Sequence, residues 1–232
     1  MDYTAIYIIA AVAPAALLMY FVYKKDKVEK EPMNLLWRLV LGGCAAAVLS
    51  GILETFGMGI LDTFVNPESP IYTVLLAFLV VAVIEEGTKY FFLKRRSWNH
   101  PAFDYTFDGI VYAVFVSLGF AALENIGYVF GYGLEVAPMR ALLAIPGHMG
   151  FAVFMGFFYG RAKLWERRGY PAQAASDRLL GYLIAVFMHG FYDTCAMLNT
   201  ELATIVFFIF VIIMDIIMLS LVSRGAKEDE PL

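Results

Sequence analysis

Glu85, Glu86 and Lys89 fall within VAVIEEGTKYFF, residues 81–92, a stretch otherwise apolar enough to cross a bilayer. FAALEN adds Glu124 and Asn125, IPGHMGF adds His148, and MHGFYD adds His189 and Asp193, each inside a further apolar run. Carboxylates and imidazoles at membrane depth suit water activation. A carboxylate takes a proton from water, and an imidazole or a metal ion stabilises the oxyanion that forms. Glu85 and Lys89 stand in the favourable i, i+4 order for a same-face pair, acid first, while Glu86 points elsewhere around the helix. His189 and Asp193 share a helix face, so Asp193 can orient His189 and fix its tautomer.

The energetics of insertion make these residues conspicuous. Thirteen Leu, Ile, Phe or Val residues between Ile71 and Leu93 contribute roughly -4 to -8 kcal/mol to insertion. Three ionised residues near the centre cost roughly +8 to +10 kcal/mol. Glu85, Glu86 and Lys89 must therefore be paired, protonated or turned into a polar interior. Several such residues on different helices argue for one shared site at the bundle centre. Catalytic zinc takes three protein ligands and keeps one open position. His148, His189 and Glu124 would supply that tripod, with Glu85 or Glu86 as base. No H-E-x-x-H motif is present, so the zinc reading rests on composition and on these residues meeting in the fold, with a metal-free glutamate mechanism as the alternative. Pro146 and Gly147 precede His148 and free a backbone carbonyl, which is tolerated beside a cavity. Glu54 and Asp215 lack local partners, and Asp108 reads as a helix N-cap.

The elements that must position these groups are legible from composition. Of 232 residues, 61% are hydrophobic and 16% charged, against about 25% charged in soluble domains. The apolar surplus falls in runs of about twenty residues, the length that crosses a hydrocarbon core. The pattern predicts an all-α, polytopic membrane helical bundle of about seven spans: 4–23, 35–58, 71–93, 108–130, 140–161, 179–198 and 202–222. Residues 1–232 form a single transmembrane domain, with a catalytic core at about 71–198. Sixteen of the seventeen basic residues fall beside alternate loops or in the tail, leaving only Arg140 opposite. The N-terminus is therefore expected outside and the C-terminus in the cytoplasm. Trp37, Trp98 and Trp165 fall at the inner interface, where aromatic anchors belong. The first apolar run lacks a basic n-region and a cleavage site and reads as a retained span. Cys44 and Cys195 lie within spans and suggest no disulfide framework. Small-residue ridges at Gly43, Ala47 and Gly51, and at Ala152, Gly156 and Gly160, should allow close helix packing.

EEGTKYF, FDGIVYAVFVSLGFAALENIGYV, PGHMGFAVFMGFFYG and HGFYD, in that order and over about residues 80–195, resemble the PrsW family of bacterial membrane proteases. The family is similar to the type II CAAX prenyl proteases and abortive-infection proteins, whose pattern is E-E-x-x-R, F-x-x-x-H and H-x-x-x-(N/D). The matching residues here are Glu85, Glu86 and Lys89, Phe120 with Glu124, and His189 with Asp193. Lys89 replaces arginine, and Glu124 stands where the wider group has histidine, an imidazole that His148 can supply. The resemblance implies an intramembrane endopeptidase in the bacterial cytoplasmic membrane. It would make the site-1 cut in a single-pass anti-sigma factor of the RsiW type, near its extracytoplasmic side, and so activate an envelope-stress sigma factor. Membrane lipids are the other expected partner, and nucleic acid is not. Two other classes fit the polar set: a seven-span zinc-dependent lipid amidase, which does not use E-E-x-x-K, and a proton-coupled transporter, for which no internal repeat is visible.

Overall fold

The structure, a computed structural model, describes residues 3–232. Among them seven helices are long and apolar enough to cross a membrane: α1 (Thr4–Lys25), α2 (Met33–Phe64), α3 (Pro70–Ser97), α4 (Asp108–Tyr132), α5 (Leu134–Arg167), α6 (Pro171–Met197) and α7 (Glu201–Gly225). All seven expected spans are present, and most run longer than expected. The 32 residues of α2 span about 48 Å at 1.5 Å each, so this helix overreaches a hydrocarbon core of about 30 Å. Large apolar side chains such as Leu41, Phe56, Phe64, Leu202 and Ile216 face outward, as a lipid-facing belt requires.

The bundle is built around α4, whose apolar window is 78% buried against 17% for α1. It packs on α1, α2, α3 and α5, while α6 joins α3 to α5 and α7 closes the side formed by α5 and α6. Glycine sets the closest approaches. A Cβ at Gly43 of α2 would lie 1.9 Å from the Val116 carbonyl oxygen of α4, and one at Gly160 of α5 would lie 2.0 Å from the Thr106 carbonyl oxygen. Both ridges predicted from the sequence pack at these positions, but Gly51 meets nothing within 4 Å.

Two helices depart from α geometry immediately before their polar residues. Wide, π-type turns occupy Leu76–Ala82 in α3 and Arg140–Ala144 in α5. The amide of Val83 reaches back to the Phe78 carbonyl and that of Ile145 to the Arg140 carbonyl. Pro146 lacks the amide that would continue the α pattern, and the turn ahead of it opens. Such bulges rotate the following residues relative to those before, and they concentrate at functional sites.

Two readings of single residues need correction. Asp108 opens α4 but does not cap it; its Oδ2 accepts hydrogen bonds from the Asp104 and Tyr105 amides upstream. Asp229 of the tail takes the neighbouring amide, accepting from Phe107 N at 2.8 Å. Trp98 is buried, with its ring edge-on to Tyr159 and its indole N–H donating to Glu166. It is a packing residue here, whereas Trp37 is exposed.

Candidate active site

Four helices bring their polar residues to one place. Glu85, Glu86 and Lys89 come from α3, Glu124 and Asn125 from α4, His148 from α5, and His189 and Asp193 from α6. Glu85, Glu86, Lys89, Asn125, His148 and His189 are each no more than 5% exposed. The convergence expected from the sequence is therefore present as geometry.

Lys89 is the hub. Its Nζ donates to Glu85 Oε2 at 2.9 Å and to Glu86 Oε1 at 2.8 Å, and lies 3.2 Å from His148 Nδ1. It also sits 4.0 Å from the centre of the Phe120 ring, a cation–π contact. The sequence paired Lys89 with Glu85 alone; the structure adds Glu86, because i, i+3 residues also share a face. An ammonium can only donate, so His148 Nδ1 accepts and Nε2 carries the hydrogen. That nitrogen lies 3.2 Å from Glu124 Oε2. Ser117 completes the placement of His148 by donating to its backbone carbonyl.

His189 faces acids at both ring nitrogens. Nδ1 is 2.9 Å from Glu86 Oε1, and Nε2 is 3.3 Å from Asp193 Oδ2 and 3.9 Å from Glu85 Oε2. Phe151 stacks on the ring at 4.8 Å between centroids, which fixes its plane. The two imidazoles lie edge to face, 5.6 Å apart.

Arg140 is a site residue that sequence reasoning missed. It bonds Glu124 Oε2 at 2.6 Å through a terminal nitrogen and Asn125 Oδ1 at 2.6 Å through Nε. Asn125 in turn donates to the Ala11 carbonyl of α1. The signal was its isolation as the one basic residue opposite the other sixteen.

A cavity of about 610 Å³ opens onto this cluster. Glu85, Glu124, His148, His189, Asp193 and Arg140 line it, as does Glu54 from α2; Glu86 and Lys89 do not. The adjacent glutamates thus differ. Glu85 faces open space, whereas Glu86 lies behind it, bound to Lys89 and His189, with its Oε2 buried and unpartnered. Asp215 also has a buried unpartnered oxygen but does not line the cavity.

One set of three side chains among the described residues offers metal-ligand atoms all within 4.8 Å of one another: Glu85, Glu86 and His148. The tripod expected from the sequence was Glu124, His148 and His189. Here Glu124 touches the outer nitrogen of His148, and His189 is held between Glu86 and Asp193. The shared element is His148; the carboxylates come from α3.

Residues 31–220 match the PrsW family intramembrane metalloprotease family. The chain is 37% identical over 186 residues to Protease PrsW of Geobacillus kaustophilus, covering 79% of this chain and 76% of that protein. It is 34% identical over 190 residues to Protease PrsW of Bacillus subtilis, covering 79% of each. It is 30% identical over 208 residues to Protease PrsW of Clostridioides difficile, covering 88% and 84%. No solved structure matches it.

Proposed function

The chain belongs to the PrsW family of intramembrane metalloproteases, and we propose that its substrate is a single-pass, membrane-anchored anti-sigma factor. The cut falls near the extracytoplasmic face of the bacterial cytoplasmic membrane and leads to release of an envelope-stress sigma factor. In this reading the N-terminus lies outside and the C-terminus inside, as the distribution of basic residues favours. The observation that carries the chemistry is the unequal setting of the two glutamates: Glu85 lines the cavity, and Glu86 is held behind it.

Glu85 acts as general base. It takes a proton from water as the water oxygen adds to the scissile carbonyl, then returns it to the departing amide nitrogen. His148 and His189 line the cavity beside Glu85, and their Nε2 groups, 3.2 Å from Glu124 and 3.3 Å from Asp193 in the free protein, turn from those carboxylates to the carbonyl oxygen as charge develops on it. Lys89 holds the Glu85 carboxylate in place through its hydrogen bond to Oε2, and Glu86 fixes both Lys89 and His189. Glu124 and Asp193 orient the two imidazoles, and Asn125 anchors the Arg140 that holds Glu124.

A metal ion fits the residues present. Glu85, Glu86 and His148 offer the oxygen and nitrogen donors that zinc takes, and Glu86 Oε2 is a buried oxygen with unused bonding capacity; the role of Glu85 as free base belongs to the site without the ion. When bound, zinc would supply Lewis acidity and lower the pKa of a water molecule. Lys89 already uses the same carboxylates, so its ammonium and the ion compete for them.

The test reconstitutes the protein in liposomes with a single-pass anti-sigma substrate and compares wild type with Glu85→Gln and His189→Ala. Loss of cleavage in both variants is expected, and equal cleavage by all three would overturn the assignment. Metal analysis of the purified protein, with chelation and zinc add-back during cleavage, separates zinc-assisted hydrolysis from hydrolysis by the glutamate alone.

A further inference from the structure

Glu54 is the one carboxylate of the cavity wall that has no counterion. It makes no hydrogen bond or ion pair with any described residue, and its Oε1 is buried and unpartnered. The cations and imidazole that line or back this cavity are already committed to other carboxylates. Lys89 is shared by Glu85 and Glu86, His189 by Glu86 and Asp193, and Arg140 by Glu124 and Asn125. Without Glu54 the cluster already sets four carboxylates, Glu85, Glu86, Glu124 and Asp193, against Lys89, Arg140 and the imidazole that His189 shares between Glu86 and Asp193, and Glu54 deepens the deficit. Keeping a carboxylate ionised with one oxygen buried and unpaired is costly, and a ligand that brings positive charge relieves that cost.

Position says where such a ligand lies. A second cavity of about 450 Å³ opens between α2 and α4, lined by Ala47, Ser50 and Gly51 on one side and Leu123 and Gly127 on the other. The two helices touch at Gly43 and Gly119 and part at Gly51 and Gly127, where an added Cβ would meet nothing within 4 Å. Glu54, Glu85, Glu124 and Tyr128 line both cavities. Glu54 therefore stands where a lateral opening meets the space in front of the general base.

We propose that Glu54 is a specificity residue that receives a basic side chain, lysine or arginine, of the substrate segment lying across this cavity. A metal ion is the poorer occupant. Glu54 belongs to no set of side chains whose ligand atoms lie within 4.8 Å of one another, whereas a guanidinium or an ammonium on a flexible stem bridges wider spacings. The proposal rests on the proteolytic reading above.

The experiment uses the reconstituted full-length protein and a single-pass substrate whose cut bond has been mapped by mass spectrometry. Each residue within five of that bond is replaced in turn by Arg, Gln and Glu, and kcat/KM is measured for each peptide. At one position wild type should favour Arg over Gln by about thirtyfold, the scale of a desolvated charge pair. Glu54→Gln should bring that ratio to about one, and Glu54→Lys should invert the preference toward Glu. Wild-type cleavage without an Arg preference at any position, or a preference unchanged in Glu54→Gln, overturns the role of Glu54 alone. Failure of wild type to cut any peptide overturns the protease reading, and this inference with it.

Discussion

This protein buries two groups of acids, and it holds them by opposite means. In the site between α3, α4, α5 and α6, carboxylates meet cations and imidazoles: Lys89, Arg140, His148 and His189. At the other group, where the α1–α2 loop and the tail meet the start of α4, buried Asp26, Glu31 and Asp108 cluster with half-buried Asp104 and Asp229, and Tyr112 bonds Glu31 within the cluster. There the carboxylates meet amides, a hydroxyl and one another. The Tyr112 hydroxyl lies 2.5 Å from Glu31 Oε2 and 2.7 Å from the Ala102 carbonyl. Asp108 takes two upstream amides, and Asp229 takes the Phe107 amide and the Thr106 hydroxyl. The tail is tied down further by Leu232 N donating to the Asp104 carbonyl at 2.7 Å. A buried acid is thus no marker of chemistry by itself. The marker is a cation or imidazole bound to the carboxylate itself, with a cavity in front of it; in the Tyr112 group Lys30 bonds the Asp26 backbone carbonyl and forms no ion pair with any described carboxylate, and the group works as a lock.

The largest effects should separate the two regions most cleanly. Glu85→Gln is expected to lower kcat/KM by about a thousandfold, the scale of a lost general base, with little change in the melting temperature in detergent. Lys89→Ala should damage both activity and stability. It leaves two buried carboxylates without their counterion, a loss on the order of 3–5 kcal/mol. Lys89→Arg should keep most of the stability, and a full-activity Lys89→Ala would break the hub assignment. Tyr112→Phe should do the reverse of Glu85→Gln. It removes the hydroxyl from Glu31 and should cost about 1–3 kcal/mol, while the cleavage rate per folded molecule stays close to wild type. If Tyr112→Phe abolished cleavage without destabilising the protein, the two regions would not be separable.

The contrast also explains what the sequence made legible. The seven spans were readable because lipid imposes a length and composition on every helix. The site residues were readable because ionisable groups within those spans stand out against an apolar background. The π-type turns were half legible: Pro146 marks the one at Arg140–Ala144, and no residue pattern marks the one at Leu76–Ala82. Arg140 was visible only as an exception to the charge distribution. The Tyr112 lock was the least legible part. Asp26, Glu31 and Asp229 lie in loop and tail, where acids are ordinarily solvated; tertiary packing that brings residues about 80 to 120 apart in sequence together buries the first two and half-buries the third.

The smallest effect tests the lock through protons. Burial raises Glu31 from 4.5 to about 7; hydrogen bonds to Asp108 and Tyr112 oppose that shift, and Asp26 and Asp104 reinforce it. Asp26 is raised to about 6, again by burial first, with Lys30 opposing and Asp229 and Glu29 adding. A raised carboxyl means that the folded protein keeps a proton which the unfolded chain has released between pH 4.5 and 7. The stabilisation from that proton is complete below pH 4.5, declines as pH rises, and is gone above about 7. Glu31→Gln keeps an acceptor for the Tyr112 hydroxyl but cannot ionise. It should therefore flatten the decline and raise the melting temperature at pH 8, relative to wild type, by about 2–4 °C per kcal/mol recovered. The difference between the two proteins isolates Glu31 from any titration inside the membrane. If wild type instead became more stable than Glu31→Gln as pH rose from 5 to 8, Glu31 would be held as an anion by a counterion, and the lock would be a second charge-paired site.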